Sequence, residues 1–87
     1  MSVKILKLTL KFIDFKMDNK VTELEDDCLI SELIDHFVDS LKIAKFFICK
    51  DEKGALVLDD NKSLNECNLK HGDTLYCYKE PVIIFNY

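Results

Sequence analysis

The sequence predicts an α+β domain, a mixed five-stranded sheet wrapped around one amphipathic helix in the order β-β-α-β-β-short helix-β. Three observations carry this reading. Between Leu29 and Ile43, apolar residues fall at Ile30, Leu33, Ile34, Phe37, Val38 and Leu41, the spacing of a single helical face. Between Val3 and Ile13 the pattern alternates instead: Leu6, Leu8, Leu10 and Phe12 point one way, and Ile5, Lys7, Thr9 and Lys11 the other. Every other periodic segment also reads as strand, so the one greasy helix face needs a sheet to cover it.

In chain order, the first strand runs into a polar connection whose turn falls either at Asp14 to Lys16 or at Asp18-Asn19, both rich in residues that close on their own backbone. Val21 to Glu25 forms a second strand with Leu24 and Thr22 toward the helix. The connection is too short for a crossover, so the two strands form an antiparallel hairpin. Acids precede the helix (Glu25, Asp26, Asp27) and lysines follow it (Lys42, Lys45), as its dipole favours. Glu32, Asp35, His36, Asp39, Ser40 and Lys42 make its wet face.

Lys45 to Lys50 is a third strand with two registers open: either Phe46 and Ile48, or Phe47 and Cys49, face the core. Asp51 to Gly54 turns the chain, and Ala55 to Leu58 forms a short strand pairing back on the third. After a second turn at Asp59 to Lys62, Ser63 caps a short helical turn. Glu66 stands at capping-box distance, and Leu64 and Leu69 enter the core. Thr74 to Lys79 is the last strand, with Leu75 and Cys77 inward and Tyr76 and Tyr78 outward. With one helix on one face, the first and last strands lie parallel and adjacent at the centre of the sheet.

A chain of 87 residues supports one small core, assigned to residues 1–80, with an apolar segment over 81–87. Its net charge of −4 argues against a nucleic-acid binder, since no basic excess exists to displace phosphate counterions. No stretch is long enough to cross a bilayer, and Lys4, Lys7 and Lys11 interrupt the N-terminal apolar run, so a cytoplasmic protein without membrane insertion is expected. Cys28, Cys49, Cys67 and Cys77 show no C-x-x-C pair, which favours packing over metal or disulfide roles. His36 sits on the polar helix face and His71 in a turn. Neither has a Ser or Cys nucleophile that spacing would bring into reach, so no catalytic residue, cofactor or metal is expected.

The segment Ser63-Leu64-Asn65-Glu66-Cys67-Asn68-Leu69, followed by Gly72-Asp73-Thr74-Leu75, resembles the ubiquitin-superfamily signature before the final strand. The helix end Val38 to Ile43, the Gly54 to Leu58 strand and the Leu64, Leu69, Gly72-Asp73, Leu75 series are similar to the small bacterial YukD/EsaB ubiquitin-like proteins associated with type VII (WXG100/ESX) secretion. The resemblance spans residues 3 to 79. It implies a ubiquitin-like β-grasp and a non-enzymatic cytoplasmic accessory that binds a protein partner, a component of the secretion machinery. Conjugated modifiers and sulfur carriers end in Gly-Gly. This sequence ends Pro81 to Tyr87, bulky and apolar, so conjugation is not expected. The alternatives are a stand-alone β-grasp adaptor of another system, or a modifier or sulfur carrier matured by C-terminal processing.

The helix-free face of the sheet is the first candidate interaction surface. If the outer strands of the sequence are neighbours, Ile5, Lys7 and Thr9 lie beside Tyr76 and Tyr78, and tyrosine interleaved with lysine suits protein contacts. Good strand propensity alone also accounts for the two tyrosines. The second candidate is the tail, where Val82 to Phe85 form an apolar run; Ile84 and Phe85 would be covered by this chain, by a partner or by a second copy in a homodimer.

Overall fold

A computed structural model describes residues 3–79. The elements are β1 (Ile5–Phe12), β2 (Lys20–Glu25), α1 (Ile30–Leu41), β3 (Phe47–Cys49) and β4 (Thr74–Tyr78). They form a four-stranded sheet in the order β2-β1-β4-β3. β1 and β2 are antiparallel, with Leu6 opposite Leu24 and Leu8 opposite Thr22. β1 and β4 run parallel at the centre, pairing Thr9 with Thr74 and Lys11 with Tyr76. β3 pairs antiparallel with β4 through Phe47 and Tyr78, Ile48 and Cys77, and Cys49 and Tyr76.

The alternation in β1 does what its period requires. Leu6, Leu8, Leu10 and Phe12 are buried against the apolar face of α1, which contributes Ile30, Leu33, Ile34 and Phe37. Each such side chain contributes roughly 1.5–3 kcal/mol relative to an exposed one. Phe12 packs edge-on against Phe15, Phe37 and Phe46 at centroid distances of 5.5, 5.8 and 5.3 Å, a geometry that suits aromatic quadrupoles.

Leu29 precedes α1 and has no side-chain acceptor for the first-turn donors. The chain satisfies them otherwise: Ile30 N–H donates to the Lys62 carbonyl (2.9 Å) and Ser31 N–H to the Asp60 carbonyl (3.0 Å). The Glu32 carboxylate reaches back to accept the Leu29 N–H at 2.9 Å. The helix ends at Lys42, held in the left-handed region at φ 56°, with Ile43 N–H donating to the Val38 carbonyl.

The hairpin connection spans 13–19, with its turn at Ile13-Asp14, and tucks Phe15 and Met17 onto the core. In the third strand Phe46 and Ile48 face the helix. Cys49 is fully buried as well, on the opposite face. The expected strand Ala55 to Leu58 is reduced to one bridge between Val57 and Cys49, flanked by bonds from Lys50 N–H to Leu56 O and from Leu58 N–H to Ile48 O. The cause is Asp51. Its carboxylate accepts the N–H groups of Leu56 (2.8 Å) and Ala55 (3.2 Å), so the chain curls around this side chain and cannot lie flat. The Ser63 capping box forms as expected, with Ser63 N–H to Glu66 Oε1 at 2.9 Å and Glu66 N–H to Ser63 Oγ at 3.1 Å.

Candidate functional site

Cross-strand partners share a face, so the pairings fix which side chains stand on the side of the sheet away from α1. β1 presents Ile5, Lys7, Thr9 and Lys11; β4 presents Thr74, Tyr76 and Tyr78; β3 presents Phe47 and Cys49. The expected cluster is split by register. Tyr76 stands opposite Lys11, whose Nζ lies 5.9 Å from the ring centroid, a cation–π arrangement. Ile5 is six residues further along β1, about 20 Å away at the rise of a strand. Ile5 and Lys7 instead flank Glu25 and Glu23 of β2, and only Thr9 approaches β4, opposite Thr74.

Tyr78 corrects the sequence reading more sharply. It is on the helix-free face as expected, yet only 5% exposed. Its hydroxyl donates to the Glu52 carbonyl, so the 51–57 loop folds over the β3 end of this face and covers it. Burial pushes the Tyr78 phenol up, and it pushes the Cys49 thiol up to about 11, with Asp51 adding to the effect. Burial also raises Cys77, Cys28 and Cys67. Such thiols are protonated near neutrality, and the thiolate is the nucleophile, so none is primed for covalent chemistry.

Lys11 is the residue of this face that sequence reasoning left out of the site. The β1 alternation places it outward, but only the parallel register brings it to Tyr76. His36 is exposed, its ring 5.1 Å from that of Phe37. His71 Nδ1 accepts the Lys7 N–H at 3.1 Å, so this imidazole is fastened to the sheet. Ile84 and Phe85 lie outside the described residues. Among the described residues no group of three His, Cys, Asp or Glu side chains is placed to hold a metal, and no helix is long and apolar enough to cross a membrane.

No family model and no curated protein matches the chain. Solved structures do. A ubiquitin from Caldiarchaeum subterraneum superposes with a TM-score of 0.75 at 11% identity, covering 91% of this chain and 98% of that one. The fold is the ubiquitin-like β-grasp. The UBL domain of Plasmodium falciparum Dsk2 gives a TM-score of 0.72 at 16% identity, over 88% of this chain and 100% of that domain. The C-terminal ubiquitin-like domain of mouse tubulin-specific chaperone e gives 0.70 at 14% identity, over 98% and 96%. At these identities the shared property is the β-grasp itself: one helix held by a sheet with parallel central strands.

Proposed function

We propose that this β-grasp domain is a non-enzymatic protein-interaction module that recognises a protein partner through the helix-free face of its sheet, centred on Thr9, Lys11 and Tyr76. The observation that carries the reading is the half-buried Tyr76 with the Lys11 ammonium beside its ring. Both stand on the central strand pair, the most constrained part of the sheet, so the aromatic surface is offered at little further entropic cost. Ile5 and Lys7 extend the same face toward its other end, and Tyr78 supports it from below the covering loop.

The similarity of Val38 to Ile43, of Gly54 to Leu58 and of the Leu64, Leu69, Gly72-Asp73, Leu75 series to YukD/EsaB proteins supports a finer reading, in which the partner is a cytoplasmic-side component of a bacterial type VII secretion machine. Immobilised full-length protein, presented to lysate of a bacterium carrying such a system, is expected to retain a machinery component identified by mass spectrometry. Tyr76→Ala and Lys11→Ala should each lower that capture while the melting temperature stays close to wild type. Undiminished capture by both variants would remove the sheet face from the proposal. We further propose that segment 81–87, with Ile84 and Phe85, modulates association; its deletion should lower the mass seen by light scattering if it pairs two copies.

A further inference from the structure

A second site lies at the other end of the sheet from Tyr76, where the start of β1 meets the 65–71 loop. It is a pocket of about 530 Å³. Its apolar lining is Ile5, 55% exposed, together with the edges of Leu6 and Leu69. Its polar lining is Lys4, Asp26, Asn65, Asn68, Lys70 and His71, in which the two lysines are donors only and the asparagines offer both a donor and an acceptor.

Two bonds hold this wall in place. Gly72 N–H donates to the Lys7 carbonyl at 2.7 Å, and Lys7 N–H donates to His71 Nδ1 at 3.1 Å, so the 70–73 turn is pinned to β1 on both sides of one residue. Gly72 permits the turn at φ +92°. Because Nδ1 accepts, the neutral imidazole carries its proton on Nε2 and keeps that donor for a ligand.

The charge balance has a clear sign. Among the described residues the only ion pair is Lys45 with Asp60 at 3.7 Å, so neither Lys4 nor Lys70 is neutralised by one. The one acid lining the pocket is Asp26, which accepts the Lys4 backbone N–H at 3.4 Å; nearby, the Asp73 carboxylate is taken by Lys70 N–H at 2.8 Å. Two lysines against one aspartate leave the lining at +1 in a chain of net charge −4. The volume far exceeds a bare oxyanion and falls within the roughly 300–1,000 Å³ of pockets that hold small organic molecules. We infer that this pocket binds a small amphiphilic anion: a carboxylate or phosphate head among Lys4, Lys70 and His71, with an aliphatic or aromatic stem on Ile5, Leu6 and Leu69.

The test is a titration of the ¹⁵N-labelled full chain at fixed ionic strength with octanoate, with phenyl phosphate and with octylammonium. Saturable amide shifts confined to Lys7 and to Leu69 through Gly72 are expected with octanoate or phenyl phosphate; which of the two binds more tightly identifies the head group. Octylammonium, with the same stem and opposite charge, should leave those amides unmoved. The Lys4→Gln/Lys70→Gln double variant, changed only at exposed side chains, should weaken anion binding about tenfold or more at unchanged melting temperature, the scale of losing charged hydrogen bonds. Equal response to octylammonium, equal anion binding by the double variant, or shifts that never saturate would each overturn the inference. None of these outcomes bears on partner capture at Tyr76.

Discussion

Tyr78 separates burial from strand position, and its substitution has a magnitude that can be worked out. It is 5% exposed, packed beneath the 51–57 loop with its hydroxyl bonded to the Glu52 carbonyl. Truncating a buried aromatic side chain to alanine costs about 3–5 kcal/mol. A domain of this length has roughly 4–13 kcal/mol in total, so Tyr78→Ala should remove a large fraction of its stability. At about 4–8 °C per kcal/mol, the melting temperature falls by at least roughly 12 °C. Tyr78→Phe keeps the packing and loses one neutral hydrogen bond, a cost of about 0.5–1.5 kcal/mol. Tyr76→Ala, on a half-buried neighbour, should cost less than Tyr78→Ala. Urea unfolding followed by circular dichroism, with slopes compared across the three variants, measures all of this. A Tyr78→Ala variant within about 1 kcal/mol of wild type, the usual range for a surface change, would refute the covered-face geometry.

Two further changes probe the backbone. The Leu56 N–H, followed by that of Ala55, holds the Asp51 carboxyl below the usual carboxylate range. A depressed folded-state value means the contribution is fully present above the unfolded value of about 3.9 and is lost as pH falls through the lower folded value. Urea midpoints measured downward from pH 6 should fall less steeply below pH 4 in Asp51→Asn than in wild type; parallel curves would show that the loop does not depend on this carboxylate. Lys42 occupies the left-handed region at φ 56°, where a side chain costs about 1–2 kcal/mol that glycine avoids. Glycine's extra freedom in the unfolded chain offsets about 0.4–1 kcal/mol of that, so Lys42→Gly should be neutral to stabilising, by roughly 0–1.6 kcal/mol in the same assay. A destabilised variant would mean the Lys42 side chain makes contacts that outweigh the strain.

Where a residue's fate follows from its near neighbours, the sequence is a good guide. The Leu6, Leu8, Leu10, Phe12 row has one period and one outcome, and so does the Ile30, Leu33, Ile34, Phe37 face. Ser63 and Glu66 carry their capping box in their spacing alone. Tyr78 behaves differently, because what covers it is a loop whose bonded residue, Glu52, lies 26 positions earlier. Its alternation in β4 gives the correct face and says nothing about the lid. Lys11 and Lys7 are equivalent in the sequence, both outward lysines of β1, and it is the parallel register of β1 against β4, with the 70–73 turn bonded to Lys7 and Thr9, that brings Lys11 to Tyr76. The Ala55 to Leu58 run has strand composition, but Asp51 takes two of its N–H groups, and Leu56 ends 60% exposed. The candidate site was therefore legible as a face and not as a set of neighbours.

The middle of the sheet joins the earliest strand to the latest one: Leu10 lies against Leu75, 65 positions later. Such distant pairing delays folding, since a long loop must close before any contact rewards it. A growing polypeptide can complete the β1–β2 hairpin and wind α1, but one flank of Leu8 and Leu10 stays bare until β4 has been made. Synthesis must therefore run almost to the end of the domain before the grasp can shut. A fragment stopped short of residue 74 would leave a ribosome as a sticky half-sheet.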